Sequence, residues 1–117
     1  MAAVIVVVDD LIFLSKILET ARLVGVPVKS VSPAQLSQEI RENSDRTVIL
    51  DLNHRSGTAV EAVKTLKHDP ATSQVRIVGF VSHVQADVVR AAREAGCDNI
   101  RARSAFSSRT IEGGRLL

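Results

Sequence analysis

Apolar runs of strand length alternate along this chain with stretches whose apolar residues recur every three or four positions. The first run, Ala3 to Val8, is almost wholly β-branched, which suits a strand buried on both faces, as in a parallel sheet. Leu11, Leu14, Leu18 and Ala21 follow at helical spacing, and Gly25 closes that helix. Val26 to Val31 predicts a second strand. Ser32-Pro33-Ala34-Gln35 predicts a helix start, with Ser32 as N-cap, Pro33 in the first turn and Gln35 completing a capping box. Leu36 and Ile40 mark its inner face. After a polar turn from Asn43 to Arg46, Thr47 to Leu50 is a third buried strand. Ala59, Val60, Val63 and Leu66 carry a third helix that breaks at Asp69-Pro70. Ile77 to Val81 reads as strand four, and Val84, Val88, Ala91, Ala92 and Ala95 as a helix stopped by Gly96. Ile100 to Ala102 is a weak fifth strand, and the tail from Phe106 a fifth helix kept short by Gly113-Gly114.

Five strand–helix units with no repeat and no linker predict a single domain over residues 1–117. Its class is α/β: a doubly wound, five-stranded parallel sheet of flavodoxin-like order 2-1-3-4-5, with helices on both faces and right-handed crossovers. In that order strands one and three are neighbours at the reversal of strand order, where ligands bind at the carboxyl ends of strands.

Both of those strands end on acids. The run Val4 to Val8 stops at Asp9-Asp10 before Leu11-Ile12-Phe13, and Leu50 is followed by Asp51. Two ionised carboxylates about 4 Å apart repel by about 4 kcal/mol at an effective dielectric of 20, so a pair held between a buried strand and an apolar helix start calls for a cation. Asp9, Asp10 and Asp51 are expected to converge on one acidic pocket. Asp10 is also placed to cap the first helix.

The totals narrow the function. A chain that is 45% hydrophobic and 24% charged reads as an ordinary globule, and no apolar run approaches the length of a membrane span. The first nine residues do not read as a secretory signal, so the cytoplasm is the expected compartment. One cysteine, Cys97, excludes an internal disulfide and reads as a buried, inert thiol. A net charge of +2, no Trp or Tyr and only three Phe argue against nucleic-acid binding. His54 and His83 read as solvated loop residues, and His68 lies near a helix C-terminus, where a partial positive charge is mildly favourable and no function is implied. Phe13 and Ile12 flank the buried stripe of the first helix and are expected at the core or its margin.

Val6-Val7-Val8-Asp9-Asp10, Leu50-Asp51-Leu52-Asn53 and Ala95-Gly96-Cys97-Asp98, at their mutual spacings, resemble the receiver domain of bacterial two-component response regulators. Lys64-Thr65-Leu66-Lys67-His68-Asp69-Pro70 is similar to the end of that family's third helix. The likeness runs from about Ala3 to Phe106. It implies a phosphorelay role in which Asp51 accepts a phosphoryl group from a histidine kinase or phosphotransfer protein. It further implies Mg²⁺ held by Asp9, Asp10, Asp51 and the backbone carbonyl of Asn53. Mg²⁺ is a hard octahedral ion that takes oxygen ligands and would neutralise phosphoryl oxygens beside three carboxylates.

The likeness breaks where the family reads out its phosphate. The switch hydroxyl at the end of strand four aligns with Val81, which cannot donate; Ser82 next to it faces the other way unless the strand end kinks. Losing that hydrogen bond to a charged group costs about 1.5–3 kcal/mol. The family's lysine aligns with Arg103, followed by Ser104 in place of proline, and Arg is a planar fork rather than a point charge. The aromatic switch of strand five becomes Ile100. His54-Arg55 and Thr58-Ala59 replace the usual residues of the loop after Asp51.

Two versions follow. One is an atypical single-domain receiver, not an enzyme, phosphorylated on Asp51 with Mg²⁺ and signalling by contact with a downstream protein. The other is a pseudo-receiver that works as a constitutive interaction module, with Arg103 or Arg55 reaching into the pocket as an internal cation. Contact runs through helix four, strand five and helix five, or through the first helix, with a homodimer as a further option. A small Mg²⁺-dependent phosphohydrolase of the haloacid-dehalogenase type is a remote alternative, because Asn53 stands where its second aspartate would be. No Gly-rich loop follows the first strand to favour a nucleotide.

Overall fold

The computed structural model describes residues 4–43, 46–82 and 85–111. Its elements are β1 (Val4–Val7), α1 (Leu11–Val24), β2 (Val28–Ser30), α2 (Pro33–Glu42), β3 (Thr47–Asp51), α3 (Ala59–His68), β4 (Arg76–Val81), α4 (Ala86–Ala95), β5 (Asn99–Ala102), the 3₁₀ turn η1 (Arg103–Ala105) and α5 (Ser108–Ile111). The strands form one sheet in the order β2-β1-β3-β4-β5, with every pairing parallel. This is the flavodoxin-like arrangement expected from the alternation of runs. Ala3, Val84 and Gly113-Gly114 lie outside the described residues, as does His83. No helix among the described residues is long and apolar enough to cross a membrane.

Strand alternation sorts the core into two layers. Ile5, Val7, Val48, Leu50 and Ile77 face α2, α3 and α4, meeting Leu36, Ile40, Val63, Leu66, Ala92 and Ala95. Val4, Val6, Ile49, Val78 and Phe80 face the other way, onto Phe13, Ile17 and Ala21 of α1 and onto Phe106 and Ile111. The three phenylalanines of the chain meet in this second layer. Their ring centroids lie 5.4 to 5.9 Å apart and every pair packs edge to face, a geometry worth about 0.5–1.5 kcal/mol per pair beyond area burial.

Local chemistry sets the helix ends. Ser32 N–H donates to Gln35 Oε1 at 3.1 Å, the reciprocal half of the expected box. Gly25 and Gly96 close α1 and α4 at φ 73° and 108°, in the left-handed region that glycine enters at no steric cost.

The inner stripe of α1 meets the sequence expectation at Phe13 and Ala21 and departs from it at Leu11, Ile12 and Leu18. Phe13, Ile17 and Ala21 are buried, whereas Leu11 and Ile12 are 76% and 86% exposed. An apolar helix has several faces of similar hydrophobicity, and the aromatic partners Phe80 and Phe106 select the one that carries Phe13. Arg46 is a second departure, buried where a polar turn was expected. It bonds Glu39 Oε2 at 2.8 Å, the Glu39 carbonyl and the Asn43 carbonyl, so its charge enters the fold fully partnered. Cys97 is buried as expected, and burial pushes its thiol pKa up, away from the reactive thiolate.

Candidate functional site

β1 and β3 run side by side, Val7 opposite Leu50, which brings Asp9 and Asp10 to the same sheet edge as Asp51. Each acid then finds a different protein partner. Asp10 is the N-cap of α1 and its Oδ1 accepts the Phe13 N–H at 2.9 Å. That bond, opposed by partial desolvation and reinforced by Arg103, holds its carboxyl below the ordinary range. Asp51 is fully buried. Its Oδ1 accepts the Asn53 N–H at 2.9 Å, and its Oδ2 accepts Arg103 Nη2 at 2.5 Å.

Arg103 thereby closes the pocket. It is the first residue of η1, directly after β5, and its second prong, Nη1, reaches Asp10 Oδ2 at 3.1 Å. One guanidinium spans the two carboxylates. Its Cζ lies 5.4 Å from the centre of the Phe13 ring, a cation–π contact that steers the fork. Its Nε is buried and has no hydrogen-bond partner among the described residues, a desolvation cost of this placement. A groove of about 320 Å³ beside it is lined by Asp10, Ile12, Phe13, Lys16, Arg103 and Ser104.

Asp9 turns to the neighbouring loop. Its Oδ2 accepts the Arg55 N–H at 3.2 Å and lies 3.4 Å from Arg55 Nε. With the Arg55 side chain 90% exposed, this ion pair holds weakly. His54 stays in the loop, with Nδ1 2.9 Å from Ser56 Oγ.

Asn53 has a structural part that its place in the sequence did not reveal. Its Oδ1 accepts both the Ser82 N–H, at 2.7 Å, and the Ser82 hydroxyl, at 3.1 Å. Its Nδ2 donates to Gln85 Oε1 at the start of α4. Ser82 can turn this way because β4 ends at Val81, so strand alternation no longer governs it. Val81 itself is buried in the core, and Ile100 packs partly buried against the same cluster. Both side chains serve packing.

The residues present do not fit Mg²⁺ as arranged. No group of three His, Cys, Asp or Glu side chains among the described residues is placed to hold a metal ion. The reason is local: Asp10 and Asp51 face a guanidinium between them, and Asp9 faces the loop. A positive companion for the acids was expected, and Arg103 supplies it.

No protein-family model matches the sequence, and no curated protein matches it. Solved structures do. The signal receiver domain of a DNA-binding response regulator (merR) from Colwellia psychrerythraea 34H superposes with a TM-score of 0.80 at 15% identity, covering 97% of each chain. Chemotaxis protein CheY4 of Vibrio cholerae gives 0.77 at 17% identity, covering 95% of this chain and 92% of that one. The Mn²⁺-bound form of response regulator Rcp1 gives 0.73 at 17% identity, covering 97% and 91%. The chain has the receiver fold. Asp51 closes the third strand of this receiver fold, and this chain pairs Asp10 and Asp51 with its own arginine.

Proposed function

We propose that this chain is a pseudo-receiver: a receiver-fold module that signals by protein contact, in a state that does not depend on phosphorylation of Asp51 or on Mg²⁺. The single observation that carries this reading is the Arg103 fork across Asp10 and Asp51. A carboxylate attacks phosphorus with an oxygen that the donor can reach. Asp51 is fully buried, with one oxygen bound to the Asn53 N–H and the other to Arg103.

The relay positions support the same reading. Val81 offers no hydroxyl to a phosphoryl group, and Ile100 lies in the packed layer instead of presenting a mobile ring. Asn53 already links the β3 edge to Ser82 and Gln85 through its own amide. The two regions that a phosphate would draw together are joined without one. Output then consists of the surface itself, recognised by a downstream protein, with no turnover of substrate.

The competing reading keeps Asp51 as phosphoacceptor, for which its place at the end of β3 beside Asp10 speaks. Incubation with acetyl phosphate and Mg²⁺, followed by intact-mass measurement, separates the two. The expected result is an unchanged mass. A gain of one phosphoryl group that disappears in Asp51→Asn would overturn the pseudo-receiver reading.

A further inference from the structure

The exposed large apolar side chains of the described residues, Leu11, Ile12, Leu18 and Leu23, all lie on α1, at 76%, 86%, 41% and 71% exposure. At about 100° per residue they fall on two flanks of the side away from Phe13, Ile17 and Ala21: Leu11 with Leu18, and Ile12 with Leu23, with Ser15, Glu19 and Arg22 between them. Along the second flank runs a stripe at four-, three- and four-residue spacing: Ile12, Lys16, Glu19 and Leu23. That is the spacing of a coiled-coil seam.

The order of residues in the stripe reads apolar, positive, negative, apolar. Set antiparallel against a second copy of itself, it brings Ile12 opposite Leu23 and Lys16 opposite Glu19, and the two-fold axis repeats both contacts. Set parallel, it would stack Lys16 on Lys16 and Glu19 on Glu19, which is repulsive. A patch that complements itself under a two-fold rotation is what an isologous dimer requires. We propose that this face of α1 binds a second copy of the chain, the two helices lying antiparallel in the register Ile12–Leu23 and Lys16–Glu19.

Existing contacts leave the stripe available. Both Glu19 carboxylate oxygens accept from Arg22 one turn on, Oε2 from Nε at 3.2 Å and Oε1 from Nη2 at 2.5 Å, with side chains 58% and 69% exposed; a pair this exposed contributes little, and Lys16 of the second copy competes with Arg22 for the carboxylate. The ammonium of Lys16 lies 6.0 Å from the centre of the Phe106 ring, a weak contact for an exposed lysine. The 14-residue helix is about 21 Å long, so the seam is short and falls at the small end of specific interfaces. The expected dissociation constant is therefore in the range of about 1 μM to 1 mM.

Sedimentation velocity of the full chain between about 1 μM and 1 mM tests the register. The wild type is expected to pass from monomer to dimer across that range. Lys16→Glu and Glu19→Lys each convert two symmetry-related attractions into repulsions and should weaken association about tenfold or more. The double variant Lys16→Glu/Glu19→Lys restores complementarity and should return the dissociation constant to within about threefold of the wild type. Both side chains are solvent-facing, and far-ultraviolet circular dichroism verifies that each variant folds. A wild type that stays monomeric throughout, and so leaves the stripe to some other protein, overturns the proposal. So does a dimer unmoved by the single reversals, or a double variant that does not recover.

Discussion

Replacing Arg103 with alanine removes the cation from between two carboxylates, and the structure allows the cost to be worked out. The Asp51 carboxylate is fully buried and keeps one hydrogen bond, from the Asn53 N–H. Breaking a buried pair by deleting one partner costs about 3–5 kcal/mol, because the remaining charge is stranded. The Arg103 side chain is 21% exposed, so water enters its place and lowers that figure to about 2–3 kcal/mol. The Asp10 arm lies at the solvent boundary and adds little. At about 4 °C per kcal/mol for a chain of this size, Arg103→Ala should melt about 10 °C below the wild type by circular dichroism. Arg103→Lys, which supplies one point of charge for two acids, should fall between them. Adding Asp51→Leu to Arg103→Ala removes the stranded charge and should recover most of the loss. An Arg103→Ala variant melting within about 2 °C of the wild type would refute the internal-cation reasoning. So would a double variant less stable than the single one.

Two further outcomes follow from the packing and the electrostatics. A Cβ added at Gly79 would sit 2.8 Å from Leu52 Cδ1, 2.9 Å from Leu52 Cγ and 3.2 Å from Cys97 Sγ. Gly79→Ala should therefore destabilise by about 1–3 kcal/mol, read as a lower urea midpoint with unchanged slope; an unshifted midpoint would show that Leu52 repacks freely. The carboxyls of Asp10 and Glu39 are both held below their ordinary range, Asp10 first by the Phe13 N–H and Glu39 first by Lys29 and then Arg46. Folded values that are depressed mean that the unfolded chain takes up protons first. Their contribution is complete only above their unfolded values of 3.8 and 4.5, from about pH 5.5 upward, and is lost as pH falls through the folded values. Melting temperature should drop below about pH 5, and a value constant from pH 5 to pH 3 would contradict the assignment.

Much of the architecture was legible in the sequence because its signals are local. A β-branched run such as Val4 to Val8 suits a doubly buried strand wherever it stands, and Gly25, Gly96 and Ser32 mark helix ends through their own backbone and side-chain chemistry. The acids at the ends of strands one and three were visible as well, and with strand order 2-1-3-4-5 their shared edge followed. The inner face of α1 was legible only in part. Leu11, Ile12, Phe13 and Leu14 are all apolar, and only the positions of Phe80 and Phe106 select Phe13. The part played by Asn53 was not legible, because its amide meets residues 29 and 32 positions away.

What the sequence determined by itself is the alternation of strands and helices and the need for a positive charge beside its acids, since both follow from near-neighbour chemistry. Which charge answers that need was decided by tertiary structure. Arg103 lies 93 residues from Asp10 and 52 from Asp51 along the chain, and only the pairing of β5 with β4, together with the Phe13 ring beneath the guanidinium, sets its fork between them. Pattern and propensity act over a few residues, whereas an ion pair depends on distance in space.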